Sequence, residues 1–312
     1  MAGSPRVFDR RVVRLHLARA ARVFADHDFL FREAAGRLAE RLDDVRRTFP
    51  VALAHGGHGG VLVDALADRS DIATLVESDL SPEVARRACA RSRIRRIVVA
   101  DEEFLPFGEA SFDLVLSCLS LHWTNDLPGA LVQIRRALKP DGLFIAALLG
   151  GETLKELRQA LIEAEAAASG GVSPRVSPFL DVREAGALLQ RAGFALPVVD
   201  ADTWTVTYSS AVDLMRDLRG MGETNAVFER PRHFTRRTTL LRAAAIYQSM
   251  FADKSERIPA TFQVIMLTGW APHVSQPRPL KPGSAVERLA AALDTREHSA
   301  GEAARPRSDN EP

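Results

Sequence analysis

Short runs of apolar residues alternate along the first half of the chain with segments whose apolar side chains recur at helical spacing. Consecutive apolar residues are typical of strands buried on both faces, whereas recurrence every three or four residues is typical of helices with one buried face. Strands that alternate with helices favour a doubly wound parallel sheet. The sequence therefore predicts an α/β fold whose first five strands lie at 51–54, 72–77, 94–99, 112–117 and 143–149.

Helical patterns lie on both sides of this region. Residues 10–42 predict two helices that break near Asp26-His27-Asp28, and after Gly151 the rhythm changes again. The later elements are predicted as helices at 153–168, 181–192, 211–218 and 238–250 and as strands at 204–208 and 261–267. We expect N-terminal helices over 1–45, a main domain over 46–272 with a helical insertion at about 151–258, and a disordered tail over 273–312 with a short helix near 285–293.

The composition is that of an ordinary soluble domain, with 46% hydrophobic and 26% charged residues. A formal net charge of +1 gives no argument for nucleic acid as a partner. No apolar run is long enough to span a bilayer, and Cys89 and Cys118 form no motif, so both are expected to be reduced. We expect a bacterial cytoplasmic protein. The basic N-terminal helices leave peripheral membrane or partner contact open, beside the alternative of a solvated face.

Glycines dominate the segment that follows the first predicted strand. Gly56, Gly57, Gly59 and Gly60 lie between this strand and the next helix. A glycine-rich turn at that place lets a ligand approach the backbone, and its amides favour a carboxylate or phosphate. A tight turn without a ligand is the alternative.

Acidic residues follow the second and third strands. Asp79, about 20 residues after the glycine loop, is placed to accept hydrogen bonds from ribose hydroxyls. Asp101 and Glu102 are placed to accept from an adenine amino group, and the apolar residues after them could pack on the ring. The alternatives are a helix-capping carboxylate for Asp79 and an acidic turn for the second pair.

Three histidines are candidates for a general base or for metal ligands. His122 follows the fourth strand at the edge where ligands bind in such sheets, so it is a candidate general base, with a structural histidine packed on Trp123 as the alternative. His55 and His58 are three residues apart, but no third ligand stands at convincing spacing, so we predict no metal site.

Several motifs together give the chain a family resemblance. It resembles class I S-adenosylmethionine-dependent methyltransferases of the BioC-like type and, more specifically, the methyltransferase-like assembly factors of respiratory complex I. The general motifs are the glycine loop, Asp79, 101–107, 111–114, Leu121-His122-Trp123 and 138–142; the specific ones are Gly150-Gly151-Glu152-Thr153-Leu154, 173–179, 220–225 and 259–262.

The resemblance implies a seven-stranded, mostly parallel sheet with S-adenosyl-L-methionine at its carboxyl edge. It implies an enzyme that modifies a protein arginine of a complex I subunit, by methyl transfer or hydroxylation. A small-molecule or acyl-carrier methyltransferase and a non-catalytic assembly chaperone are the alternatives. The cofactor-binding residues it implies are Gly56, Gly57, His58, Gly60, Asp79, Leu80, Asp101, Glu102 and Ser117, with His122 as the catalytic candidate.

One departure from the family concerns the first loop, which typically reads Asp-Leu-Gly-Cys-Gly-x-Gly. Here the leading acid, which helps to orient the loop, is Ala54, and the middle glycine is His58. A side chain at position 58 has to avoid the space in which the cofactor would lie. The sequence therefore leaves several outcomes open: the site still binds S-adenosylmethionine, or its binding is weakened, reshaped or lost.

Overall fold

The computed structural model describes residues 6–91, 96–277 and 289–296. The chain divides into two units, residues 1–273 and residues 274–312. In the second unit, the described residues include one short helix, α10 (Leu289–Ala292). The strands and remaining helices of the first unit are α1 (Arg10–Ala20), α2 (Phe29–Asp43), β1 (Phe49–His55), α3 (Val61–Ala65), β2 (Ile72–Asp79), α4 (Pro82–Arg91), β3 (Ile97–Val99), β4 (Phe112–Cys118), α5 (Leu127–Ala137), β5 (Leu138–Leu149), α6 (Lys155–Ser169), α7 (Val182–Arg191), β6 (Ala195–Tyr208), α8 (Ala211–Met221), α9 (Arg237–Phe251) and β7 (Ile258–Trp270).

The seven strands of the first unit form a single sheet in the order β3-β2-β1-β4-β5-β7-β6. Strands β1 to β5 pair in parallel, whereas β7 is antiparallel to both β5 and β6. The order reverses at β1, and β4 lies on its other side. Ligands bind outside the carboxyl ends of the strands at such a reversal. The predicted fold class is confirmed.

Helices cover both faces of the sheet because its central strands are apolar on both sides. Helices α2, α3, α6, α8 and α9 pack on one face, where Phe31, Leu38 and Tyr247 are fully buried. Helices α5 and α7 pack on the other face around Phe144 and Ile134. A third, smaller cluster joins α1 to the carboxyl edge of the sheet through Val13, Leu17, Leu80 and Trp123. This last cluster places α1 over the region in which the candidate site residues lie.

The boundaries of the later strands differ from those predicted. Strand β6 begins at Ala195 rather than at residue 204, because it is a half-exposed edge strand whose polar residues Asp200 and Asp202 interrupt the apolar pattern. Strand β7 extends over Ile258–Trp270 rather than over 261–267. Of the predicted third strand, the part from Ile97 onward is described, and residues 92–95 lie outside the described residues.

Two further expectations concern the ends of the chain. Most of the predicted disordered tail, and the first part of the short helix predicted near 285–293, lie outside the described residues. Within the described residues, no helix is both long enough and apolar enough to cross a bilayer.

Candidate functional site

The candidate site lies at the carboxyl edge of β1, β2 and β4. His55, the last residue of β1, pairs in register with Ser78 of β2 and with Ser117 of β4. Asp79 ends β2, and the glycine loop follows His55 directly. The structure therefore brings the residues predicted from the ends of separate strands to one edge of the sheet.

The glycine loop uses the left-handed region of backbone space. Gly56, Gly59 and Gly60 have φ values of +67°, +70° and +96°, which side-chain-bearing residues rarely adopt. The Gly56 amide donates to the Ser78 carbonyl oxygen at 2.8 Å, and a Cβ atom on Gly56 would collide with the Ser120 side chain. The loop is thus held tightly between β2 and the segment after β4.

His58 lies inside the protein rather than toward solvent. Its Nε2 atom donates to the Cys118 carbonyl oxygen at 2.7 Å, and its ring centroid is 4.3 Å from that of Phe31 and 6.1 Å from that of Phe24. Burial lowers the pKa of His58, so the imidazole is neutral. The imidazole of His58 is therefore packed between the β4 edge and two phenylalanines from the N-terminal region.

Asp79 and its neighbours line the floor of the crevice. Asp79 is 3% exposed and accepts from the Ser81 amide at 3.1 Å, and burial raises its pKa well above the usual range. Leu80 packs with Trp123 in the cluster below α1. Ser117 is fully buried, with its Oγ atom 3.2 Å from that of Ser120.

Asp101 and Glu102 bind a cation from the chain itself. The Arg10 Nη2 atom lies 2.6 Å from Asp101 Oδ1 and also donates to Glu102, and Nη1 donates to the Trp123 carbonyl oxygen at 3.2 Å. Sequence reasoning missed this role, because Arg10 was one of several arginines on an amphipathic N-terminal helix. No local pattern indicates a partner 91 residues away.

The size of the crevice shows whether S-adenosyl-L-methionine could enter it in this conformation. The acids Asp79, Asp101 and Glu102 stand where a nucleoside could use them, but Arg10 and His58 fill the space between them. Two cavities that border His58 measure about 10 Å³ each, room for about one water molecule. The crevice is too small for the cofactor in this conformation.

Buried polar atoms in the crevice lack hydrogen-bond partners within the described residues. They are Arg10 Nε, His55 Nε2, His58 Nδ1 and Glu77 Oε2, with His122 Nδ1 close by. His55 and His58 have different partners, since His55 Nδ1 bonds to Ser78 Oγ at 2.8 Å. Among the described residues, no group of three or more histidine, cysteine or acidic side chains is arranged to hold a metal ion.

His122 lies beside a second, larger cavity. Its Nε2 atom is 3.2 Å from Glu223 Oε2, and the Trp123 indole N–H donates to Glu223 Oε1 at 3.3 Å. The His122 and Glu223 side chains are only 1% and 4% exposed. Glu223 also lines a cavity of about 290 Å³ between α6, α8 and the segment around Phe179. The 220–225 motif contributes to the family resemblance, but no sequence pattern marks Glu223 as a site residue.

Comparisons with known proteins agree with this architecture. Residues 53–146 match the family described as Methyltransferase domain. The chain is 45% identical over 281 residues to the mitochondrial arginine-hydroxylase NDUFAF5 of Danio rerio, covering 89% of this chain and 87% of that protein. It is 36% identical to the malonyl-[acyl-carrier protein] O-methyltransferase of Halorhodospira halophila, covering 86% and 90%.

A solved structure supports the fold independently. The phosphoethanolamine N-methyltransferase 2 of Haemonchus contortus, solved with S-adenosylhomocysteine, superposes with a TM-score of 0.51 at 15% identity, covering 84% of this chain and 60% of that one. S-adenosyl-L-methionine is the cofactor of this class of domain. The chain belongs to the class I methyltransferase family that includes arginine hydroxylases and malonyl-carrier O-methyltransferases.

Proposed function

We propose that this chain modifies the guanidinium group of a protein arginine, on a subunit of respiratory complex I during its assembly. The observation that carries the proposal is the position of Glu223, a nearly buried carboxylate that borders a cavity of about 290 Å³. The relatives named as arginine hydroxylases cover most of this chain, which supports the same substrate class.

The lining of this cavity suits an arginine side chain. Most of its walls are apolar, and they include Leu157, Phe179 and Met215. Such walls suit the aliphatic stem of arginine, while a carboxylate recognises the guanidinium through charge-assisted hydrogen bonds. The cation that lines the cavity, Arg175, is paired with Glu165 at 2.6 Å, so its charge is matched within the protein.

His122 is placed to act on the substrate through Glu223. A guanidinium nitrogen must lose a proton when it is substituted, and a nearby imidazole can accept it. The Nδ1 atom of His122 has no partner within the described part of the chain, and Nε2 contacts Glu223. For methyl transfer, we assign Glu223 to hold the guanidinium and His122 to receive the proton that the nitrogen loses; hydroxylation would also need an oxidant, and we assign His122 no step in it.

A second candidate, a non-catalytic assembly chaperone, is favoured by the closed crevice. Arg10 and His58 fill the space that the cofactor would need. Calorimetric titration with S-adenosyl-L-methionine separates the candidates, because a chaperone should give no binding heat even at millimolar ligand.

A small-molecule or acyl-carrier methyltransferase is the third candidate. The malonyl-carrier relatives support it, and Arg175 would then be the natural partner for a substrate carboxylate. In that case, replacing Arg175 by methionine should abolish turnover, while deletion of the gene leaves complex I arginines unchanged.

The decisive experiment is deletion of the gene followed by mass spectrometry of complex I peptides. We expect one modified arginine to lose its added mass in the deletion strain, and methylation and hydroxylation add different masses. Wild-type protein should restore the modification, whereas Glu223→Gln should not. The matched control is Glu229→Gln, the same change at an exposed position six residues away. Unchanged arginine masses in the deletion strain would refute the proposal.

A further inference from the structure

The acid that is absent from β1 has a counterpart on the neighbouring strand. Ala54 stands at the position where the family that the sequence resembles typically has an aspartate. In the sheet, Ala54 pairs in register with Glu77 of β2. Because paired residues in a parallel sheet present their side chains to the same face, the two positions lie side by side. Glu77 is therefore placed to reach the loop that an acid at position 54 would serve.

Glu77 makes the contacts that this role requires. Its side chain is buried, with the residue 1% exposed, and its Oε1 atom accepts from the Gly60 amide at 3.0 Å. The Gly59 amide also stabilises the charged form of this carboxylate. A hydrogen bond from a backbone amide to a buried carboxylate is about twice as strong as one between neutral groups.

The loop is shaped around this carboxylate. A Cβ atom on Gly57 would lie 2.5 Å from Glu77 Oε1 and 2.7 Å from its Cδ atom. Gly57 is thus needed not for an unusual φ angle but because the Glu77 side chain occupies the adjacent space. The loop and the acid fit each other sterically as well as through hydrogen bonds.

We propose that Glu77 is the positioning residue that orders the glycine loop, in place of an acid at position 54. The role of the acid has moved from β1 to the adjacent strand, and Gly57 accommodates its side chain. This role does not depend on which substrate the chain modifies.

The charged neighbours of Glu77 come from several elements. Asp64 of α3 repels it, and Asp79 lies two residues along β2 on the same face. From the opposite side, Arg87 of α4 lies against Gly59. An additional carboxylate at position 54 would therefore enter a site that already holds a buried acid whose ionisation is opposed by burial and by Asp64.

The test is a double-mutant cycle with Ala54→Asp and Glu77→Ala, read out by amide hydrogen exchange at Gly59 and Gly60 and by urea unfolding. Glu77→Ala should speed exchange at Gly60 by about tenfold, because its amide loses its acceptor. Ala54→Asp alone should destabilise the protein, because it places two carboxylates side by side. The double variant should recover protection at Gly60, because the acid is then restored on β1.

Two further variants, Glu77→Gln and Glu109→Ala, complete the test. Glu77→Gln keeps an acceptor for the Gly60 amide, so it should retain protection even if Glu77→Ala folds poorly. The exposed Glu109→Ala is the control, and its effect should simply add to that of Ala54→Asp. If the double variant of residues 54 and 77 shows the sum of the two losses, or does not fold, the two positions are not interchangeable and the proposal is wrong.

Discussion

The guanidinium of Arg10 lies 2.6 Å from the Asp101 carboxylate, and the same Nη2 atom also donates to Glu102. This contact joins the first turn of α1 to the segment after β3. It places one positive charge between the two acids that the family resemblance assigns to the adenine ring. A nucleoside that enters this crevice has to displace a cation that is already bound there.

Replacing Arg10 by methionine should therefore make S-adenosyl-L-methionine bind more tightly, by several-fold in a calorimetric titration. The substitution keeps an unbranched side-chain stem but removes the charged guanidinium that bonds to Asp101 and Glu102. It should also lower the free energy of unfolding by about 3 kcal/mol, because Glu102 is left buried without its partner. Urea unfolding measures this second effect.

The control for this prediction is Arg14→Met, which changes an exposed arginine of the same helix. It should alter neither cofactor affinity nor stability beyond about 0.5 kcal/mol. Equal affinities for the two variants would show that the contact between Arg10 and the acids does not hold the crevice closed.

The sequence predicted the order of strands and helices well, because the central strands are apolar on both faces and the helices have one apolar face. It placed the start of β6 nine residues too late. An edge strand buries little, so Asp200 and Asp202 can stand in it at little cost, and the apolar pattern is lost.

The sequence predicted that the acids and glycines lie together at one edge of the sheet, but it did not predict which side chains occupy the space between them. Gly56, Asp79 and Asp101 each stand at the end of a predicted strand, and the topology of the sheet brings such ends together. Arg10 could not be predicted, since its partners are set by the packing of α1. A signal for Glu77 was present: it stands two residues before Asp79, so the alternation of a strand places both on one face.

The contact between His122 and Glu223 should appear as a coupling energy in a double-mutant cycle. His122→Ala should lower the free energy of unfolding by about 2 kcal/mol, because it removes a buried ring and one of the two side-chain donors to Glu223. With Glu223→Ala in the same chain, the combined loss should fall short of the sum by about 1 kcal/mol. Urea unfolding of the four proteins gives these values, and strictly additive losses would contradict a direct interaction.

The two cysteines should react with thiol reagents at very different rates. Cys89 is exposed, whereas Cys118 is 1% exposed and burial raises the pKa of its thiol. We expect one fast-reacting thiol per native chain and a second that reacts only after unfolding in urea. Cys89→Ser should abolish the fast reaction, and a fast thiol remaining in that variant would show that the edge of β4 opens to solvent.

The stability of the protein should fall as the pH rises through the range in which Glu77 ionises. Burial raises the pKa of Glu77 from 4.5 to about 7. The folded state therefore binds this proton more tightly than the unfolded chain does. The resulting stabilisation is fully present below about pH 4.5 and is lost as the pH approaches 7, with a total change of about 3 kcal/mol.

Glu77→Gln isolates this effect, because glutamine keeps the shape and an acceptor but cannot ionise. The charge of Glu77 also helps to raise the pKa of Asp79, so the variant additionally relieves the repulsion between these two acids as the pH rises. The difference in unfolding free energy should grow in favour of the variant from pH 5 to pH 8 and then level off. Urea unfolding at a series of pH values measures it. A difference that stays constant across this range would mean that Glu77 does not titrate there, and that burial raises its pKa much less than its position in the sheet implies.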